Sequence, residues 1–148
     1  MTAPRFVHLR LHSEYSIVDG MARVDAAVAA AAADGMPALA ITDQSNLFGA
    51  IKFFEAARAA GVQPIIGCDL WLTNERNRDA PYRLALLARN RPGYLHLCDL
   101  LTRAHAENHW RGRAVGGGDR DGRSGCSPVV WRSTCCWLSS PRRTSSRR

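Results

Sequence analysis

The stretch from Val24 to Gly61 constrains this chain more than any other. Val24 to Ala33 is almost pure Ala with Val, a composition that suits a helix, and Gly35 follows at the position where helices commonly end. Ala38 to Thr42 is a short apolar run leading into the polar set Asp43, Gln44, Ser45 and Asn46, so it reads as a buried parallel strand feeding a loop. Leu47, Ile51, Phe54, Ala57 and Arg58 then recur at helical spacing until Gly61 stops them.

The flanks extend the same alternation. Phe6, Val7, Leu9 and Leu11 interleave with His8, Arg10 and His12, a period-two pattern that predicts a first strand presenting its polar side chains together. Val62 to Leu72 reads as a third strand in which Gly67 marks a bend or a close approach. Tyr82 to Ala88 reads as a fourth, joined to the third as a hairpin through the polar stretch Thr73 to Pro81. Pro92 to about His105 carries Tyr94, Leu97, Leu100, Leu101 and Ala104 at helical spacing. The order strand, helix, strand, helix, strand, strand, helix specifies an α/β protein with a mostly parallel sheet, open or closed into a barrel. Chemistry in either architecture gathers at the carboxyl ends of the strands, near His12, Asp43 and Asp69.

Charge divides the chain. The formal net charge is +7, yet residues 1 to 110 hold eleven Lys or Arg against eleven Asp or Glu, while residues 111 to 148 hold nine Arg against two Asp. After Trp110 periodicity stops; apart from Val129, Val130 and Trp131 nothing there resembles a core element, and disorder is expected. Cys68 and Cys98 lie in the neutral body and Cys126, Cys135 and Cys136 in the tail, without the spacing of a zinc site; the body cysteines read as reduced core residues. No apolar run is long enough for a membrane span and no secretory signal is visible, so the expectation is a cytoplasmic protein without a membrane partner.

Four blocks, FVHLRLHSEYSIVDG, GMPALAITDQSNLFGAIKFFEAA, GVQPIIGCDLW and LLARNRPGYLHLCDLL, resemble in order and spacing the start of the alpha subunits of bacterial DNA polymerase III, proteobacterial type. The resemblance covers residues 1 to about 113. It implies the N-terminal half of a polymerase and histidinol phosphatase (PHP) domain, a distorted β/α barrel with a metal cluster at its strand ends, cut short and followed by a tail at 114–148 that reads as frameshifted or disordered. Strand edges left uncovered in such a partial barrel would invite aggregation.

The family's ligand positions fall on Arg10, His12, Asp19, Gln44, Asp69 and Arg83. A guanidinium has no lone pair to offer a cation and a neutral amide replaces imidazole poorly, so the resemblance implies a degenerate cluster in which Arg neutralises the retained acids. His12, Asp19 and Asp69 are the weak metal candidates. His12 otherwise reads as a hydrogen-bonded residue of a polar cleft, Asp19 and Asp69 as ion-pair partners of Arg10 and Arg83, His8 as ordering the first strand, and Asp43 as a cap of the second helix. Phe48, Phe53 and Phe54 read as core or helix-packing residues.

The implied role is a scaffold without catalytic residues or cofactor of its own, docking a proofreading exonuclease subunit within a replicase. The parent would be a DNA-directed DNA polymerase using Mg2+, other replicase subunits and DNA. Two further readings are an active PHP phosphoesterase or exonuclease, which Arg10, Gln44 and Arg83 oppose, and a small nucleic-acid-binding protein acting through its basic tail.

Overall fold

The computed structural model describes residues 6–74, 76–77, 79–107, 109–110 and 113–116. Helix α1 (Val24–Ala33) leads to strand β1 (Ala38–Ile41), α2 (Ala50–Ala59), β2 (Gln63–Leu72), β3 (Tyr82–Leu87), α3 (Arg91–Glu107), β4 (His109–Trp110) and β5 (Arg113–Gly116). Gly35 and Gly61 follow α1 and α2 with φ of +66° and +75°, the left-handed turn that glycine adopts without a Cβ penalty. Asn90 caps α3, its Oδ1 accepting the Gly93 N–H at 2.9 Å.

The sheet is mixed rather than mostly parallel, and β2 is its hub. Residues Gln63 to Ile66 run parallel to β1, Gly67 to Leu72 run antiparallel to β3, and Trp71 and Leu72 run parallel to β5. The hairpin expected between the third and fourth strands is therefore present. Gly67 marks a close approach, since a Cβ there would lie 2.5 Å from the Leu86 carbonyl oxygen. Ala114 to Gly116 lie in β5, so the sheet runs three residues past the boundary drawn at 113. Residues 117–148, with the tail expected there, lie outside the described residues.

Two expectations change. Phe6–Leu11 is an extended segment, not a strand: it makes one parallel bridge, His8 to Leu39, and two backbone hydrogen bonds, Ala40 N–H to His8 O and Thr42 N–H to Leu11 O. Its apolar residues alternate, but Phe6 and Leu9 remain exposed, so burial supplies little to hold the register. The buried face of α2 is Ala50, Phe53 and Ala57, while Ile51 and Phe54 face outward. Phe53 is core as expected; Phe48 and Phe54 are not, being 70% and 48% exposed. Helical spacing admits either stripe, and the small Ala50 and Ala57 let α2 approach the sheet closely enough to enclose Phe53.

Alternation along β2 separates two layers. Ile66 joins the core of α1, β1 and α2, formed by Val24, Val28, Leu39, Ile41 and Phe53, while Cys68 and Leu70 pack on Leu97 and Leu101 of α3. Asp69 and Trp71 face the other way, beside Arg83 of β3.

Candidate functional site: a cross-linked polar cluster

The six singled-out residues reach the cluster from five local elements. Arg10 and His12 come from the extended segment, which Leu11 ties to the end of β1: its N–H donates to Thr42 Oγ1 at 3.0 Å. Asp19 sits in a tight turn closed by Gly20 N–H on Ser16 O at 2.7 Å. Only glycine fits after it, because a Cβ at Gly20 would lie 1.8 Å from the Ser13 carbonyl oxygen. Gln44 lies in the loop after β1, Asp69 in β2, and Arg83 directly opposite Trp71 in the β2–β3 register.

Asp69 is the centre. Its side chain is 2% exposed, and Oδ2 accepts Arg10 Nε at 2.8 Å, with Arg10 Nη2 also in contact. His12 Nε2 lies 2.8 Å from the same oxygen and His12 Nδ1 2.9 Å from Asp19 Oδ1. Both contacts are hydrogen bonds only when both ring nitrogens carry a proton. Arg83 Nη2 reaches Asp69 Oδ2 at 3.4 Å and Asp19 Oδ2 at 3.5 Å, and donates to Gln44 Oε1. Gln44 completes the ring by donating its amide to the Asp69 carbonyl oxygen at 3.2 Å. The Arg83 guanidinium is also stacked 4.9 Å above the Trp71 ring. The structure thus brings all six together into one network.

The charges inside it are of both signs. Burial alone would raise the Asp19 carboxyl, but the Ser16 hydroxyl, the charge and hydrogen bond of His12 and the Arg83 guanidinium together hold it below its usual range. Asp43 shifts the other way, pushed up by burial despite hydrogen bonds from Ser13. It is no cap of α2: the helix begins after Gly49 without a side-chain cap. Asp43 instead accepts the Ser13 N–H at 2.6 Å and the Ser13 hydroxyl at 2.9 Å, pinning the incoming segment beneath the cluster. His8 contributes its backbone oxygen to that segment's pairing and stacks edge-on against Phe6.

Ser13 and Ser16 were missed by sequence reasoning. Ser16 donates to Asp19 Oδ1 at 2.7 Å and accepts the Gln44 N–H at 3.1 Å, coupling the turn to the loop after β1. A serine three residues before Asp19, ahead of a glycine, is the local signal for such a turn. Ser45 was also overlooked. It holds a left-handed φ of 54° between Gln44 and Asn46, with its buried hydroxyl unpartnered among the described residues.

The donor set does not suit a cation. Arg10 and Arg83 cannot ligate one, both nitrogens of His12 are turned to carboxylates, and both oxygens of Asp19 and Oδ2 of Asp69 already face protein donors. Among the described residues no group of three or more His, Cys, Asp or Glu side chains is arranged to hold a metal ion.

A mixed sheet with outer helices and a polar cluster on its inner face, along strand ends, defines a class that sequence comparison identifies. Residues 8–121 match the PHP domain family, and the chain belongs to it. More particularly, it is 48% identical over 111 residues to the DNA polymerase III subunit alpha of Pseudomonas aeruginosa and 46% identical over 109 residues to that of Escherichia coli K12. Each alignment covers 74% of this chain and 9% of the relative, so the chain spans a small part of their length. A crystal structure from Bifidobacterium adolescentis, of a chain named as a metal-dependent phosphoesterase, superposes with a TM-score of 0.50 at 19% identity, over 68% of this chain and 32% of that one. That likeness supports the fold alone.

Proposed function

We propose that this chain is the N-terminal part of the PHP domain of a DNA polymerase III alpha subunit, and that its cluster is a metal-free structural joint rather than a phosphoesterase centre. One observation carries the reading: two guanidinium groups, Arg10 and Arg83, meet the acids Asp19 and Asp69 that a metal would otherwise neutralise. Cations supplied by the protein fix the first segment, the Asp19 turn, the loop after β1 and the β2–β3 hairpin to one another. A domain held this way serves as a platform, and we assign it the docking of a proofreading exonuclease subunit within a replicase. Template-directed synthesis with Mg2+ and DNA belongs in this reading to the remainder of the longer protein, whose place is the cytoplasm. Among the described residues no helix is long and apolar enough to cross a membrane.

The test is metal retention. The full chain is incubated with Mn2+, passed through a desalting column and assayed for bound ion by mass spectrometry. The expected result is far less than one ion per chain; one ion or more, lost on His12→Ala, would overturn the reading.

A further inference from the structure

The outer layer holds a feature that the cluster does not explain. Between α2 and the first turn of α3 lies a groove of about 530 Å³, floored by Pro64 and Ile66 and walled by Ile51, Phe54 and Tyr94. On α2 itself Ile51 and Phe54 are 71% and 48% exposed, and Phe48, in the turn before the helix, is 70% exposed. Ile51 and Phe54 thus lie about one turn apart on a helix whose opposite face already fills the core. An exposed apolar surface of this kind marks an interaction site.

The rim fixes the sign of the occupant. Arg89 and Arg91 border the groove and Arg58 lies one turn beyond Phe54, against the single acid Glu55. Among the described residues none of these arginines has a carboxylate within ion-pair distance, whereas Lys52 meets Glu14 and Asp25, and Arg103 meets Asp99. Arg89 and Arg91 also flank the start of α3, the positive end of its dipole, where added cations are least favourable in the absence of an anion. An anionic surface seated there relieves both costs. The chain's own segment 111–148, with nine Arg against two Asp, carries the wrong sign.

We propose that the α2–α3 groove docks a segment of a protein partner that presents apolar side chains interspersed with carboxylates. The apolar side chains enter between Ile51, Phe54 and Tyr94, and the carboxylates meet Arg89 and Arg91, the mode in which an apolar anchor supplies affinity and rim charge supplies selection. The inference stands apart from the metal-free reading of the cluster. A metal found there would leave it intact, and failure of the groove would leave that reading intact.

The probe is a labelled synthetic peptide with Leu and Phe spaced among Glu residues, titrated with the full chain by fluorescence anisotropy. The control is the same peptide carrying Lys in place of Glu. The Glu peptide is expected to bind saturably and the Lys peptide at least about tenfold more weakly. Phe54→Ala is expected to weaken the Glu peptide by about tenfold. The double variant R89E/R91E is expected to invert the preference between the two peptides. All three positions are exposed or half-exposed, and circular dichroism of each variant checks that the fold is kept. Absence of binding, equal affinity for the two peptides, or affinities unmoved by both variants overturns the proposal. So does a wild-type dimer in sedimentation that Phe54→Ala converts to monomer, since the occupant would then be a second copy.

Discussion

Asp69 and Leu70 are neighbours in β2, equally buried, and face opposite layers. Asp69 looks into a cluster where Arg10, Asp19 and Arg83 are each within 3.5 Å of a group of opposite charge, and the His12 ring lies between two carboxylates. Leu70 looks into a layer built from Cys68, Leu97 and Leu101, which farther along the same strand opens into the groove beside Ile66. One face pairs its charges internally; the other ends in apolar groups and in arginines that, among the described residues, have no carboxylate within ion-pair distance. The difference teaches where this fold can still bind something. A saturated polar cluster holds its own parts together, whereas an uncompensated surface has free energy to gain from a partner.

Paired substitutions break this comparison most directly. Asp69→Ala removes the acceptor shared by Arg10, His12 and Arg83 and leaves cations crowded together. The expected loss of stability is on the order of 3 to 5 kcal/mol, as for breaking a buried pair. Leu70→Ala removes apolar contacts only, with an expected loss of about 2 to 4 kcal/mol. Urea unfolding measures both, and sulfate separates them beyond its general salting effect: the anion should recover part of the loss in Asp69→Ala and give Leu70→Ala no extra gain. Equal recovery would mean that the cluster is held by packing rather than by charge.

Arg83→Met should cost less, about 1 to 2 kcal/mol, because the guanidinium is partly exposed and Met keeps the stacking against Trp71. Its sharper consequence is electrostatic. With one internal cation gone, Asp19 and Asp69 repel each other more, so Mn2+ should stabilise this variant against urea while leaving the parent chain unmoved. A shift of the parent midpoint by Mn2+ equal to that of the variant would sink the idea that Arg83 substitutes for a metal.

The helices, β1, β2 and the hairpin were legible in the sequence for local reasons, whereas the six cluster positions were singled out only through the family resemblance. Glycine at 35 and 61, the apolar run 38–42 and the strand-favouring Ile65, Ile66, Leu70 and Trp71 all leave marks within a few residues. What escaped depends on packing between distant segments. Whether α2 buries Phe53 or Ile51 and Phe54 turns on how closely Ala50 and Ala57 let the helix approach β1 and β2. Whether Phe6–Leu11 becomes a strand turns on partners that cover its side chains. Ser13 pairs with Asp43 thirty residues away, so no spacing rule could announce it.

The acids of the cluster sharpen the comparison through pH. Asp19, held below its usual range, contributes stability that is present above its unfolded value near 3.8 and is lost as pH falls through the lower folded value. Asp43, pushed up by burial, acts oppositely: its contribution is fully present below 3.8 and is lost as pH rises through its higher folded value. Urea midpoints followed from about pH 3 to 7 should therefore show the two opposing slopes, and Asp43→Asn should remove the falling limb while keeping the acid-side loss. A pH profile unchanged by Asp43→Asn would show that the Ser13 hydrogen bonds, not burial, dominate that carboxyl.

The smallest effect belongs to an ion pair outside both regions. Asp99 and Arg103 lie 2.7 Å apart, one turn apart on the exposed face of α3 and both more than half exposed. Water already solvates each charge and salt screens the pair, so Asp99→Asn should lower stability by no more than about 0.5 kcal/mol, fading in high salt. Arg10 and Asp69 are also an Arg and Asp in contact, but one partner is buried and shared. If Asp99→Asn proved as costly as Asp69→Ala, burial and sharing would not be what distinguishes the cluster, and the contrast between the two faces of β2 would lose its electrostatic basis.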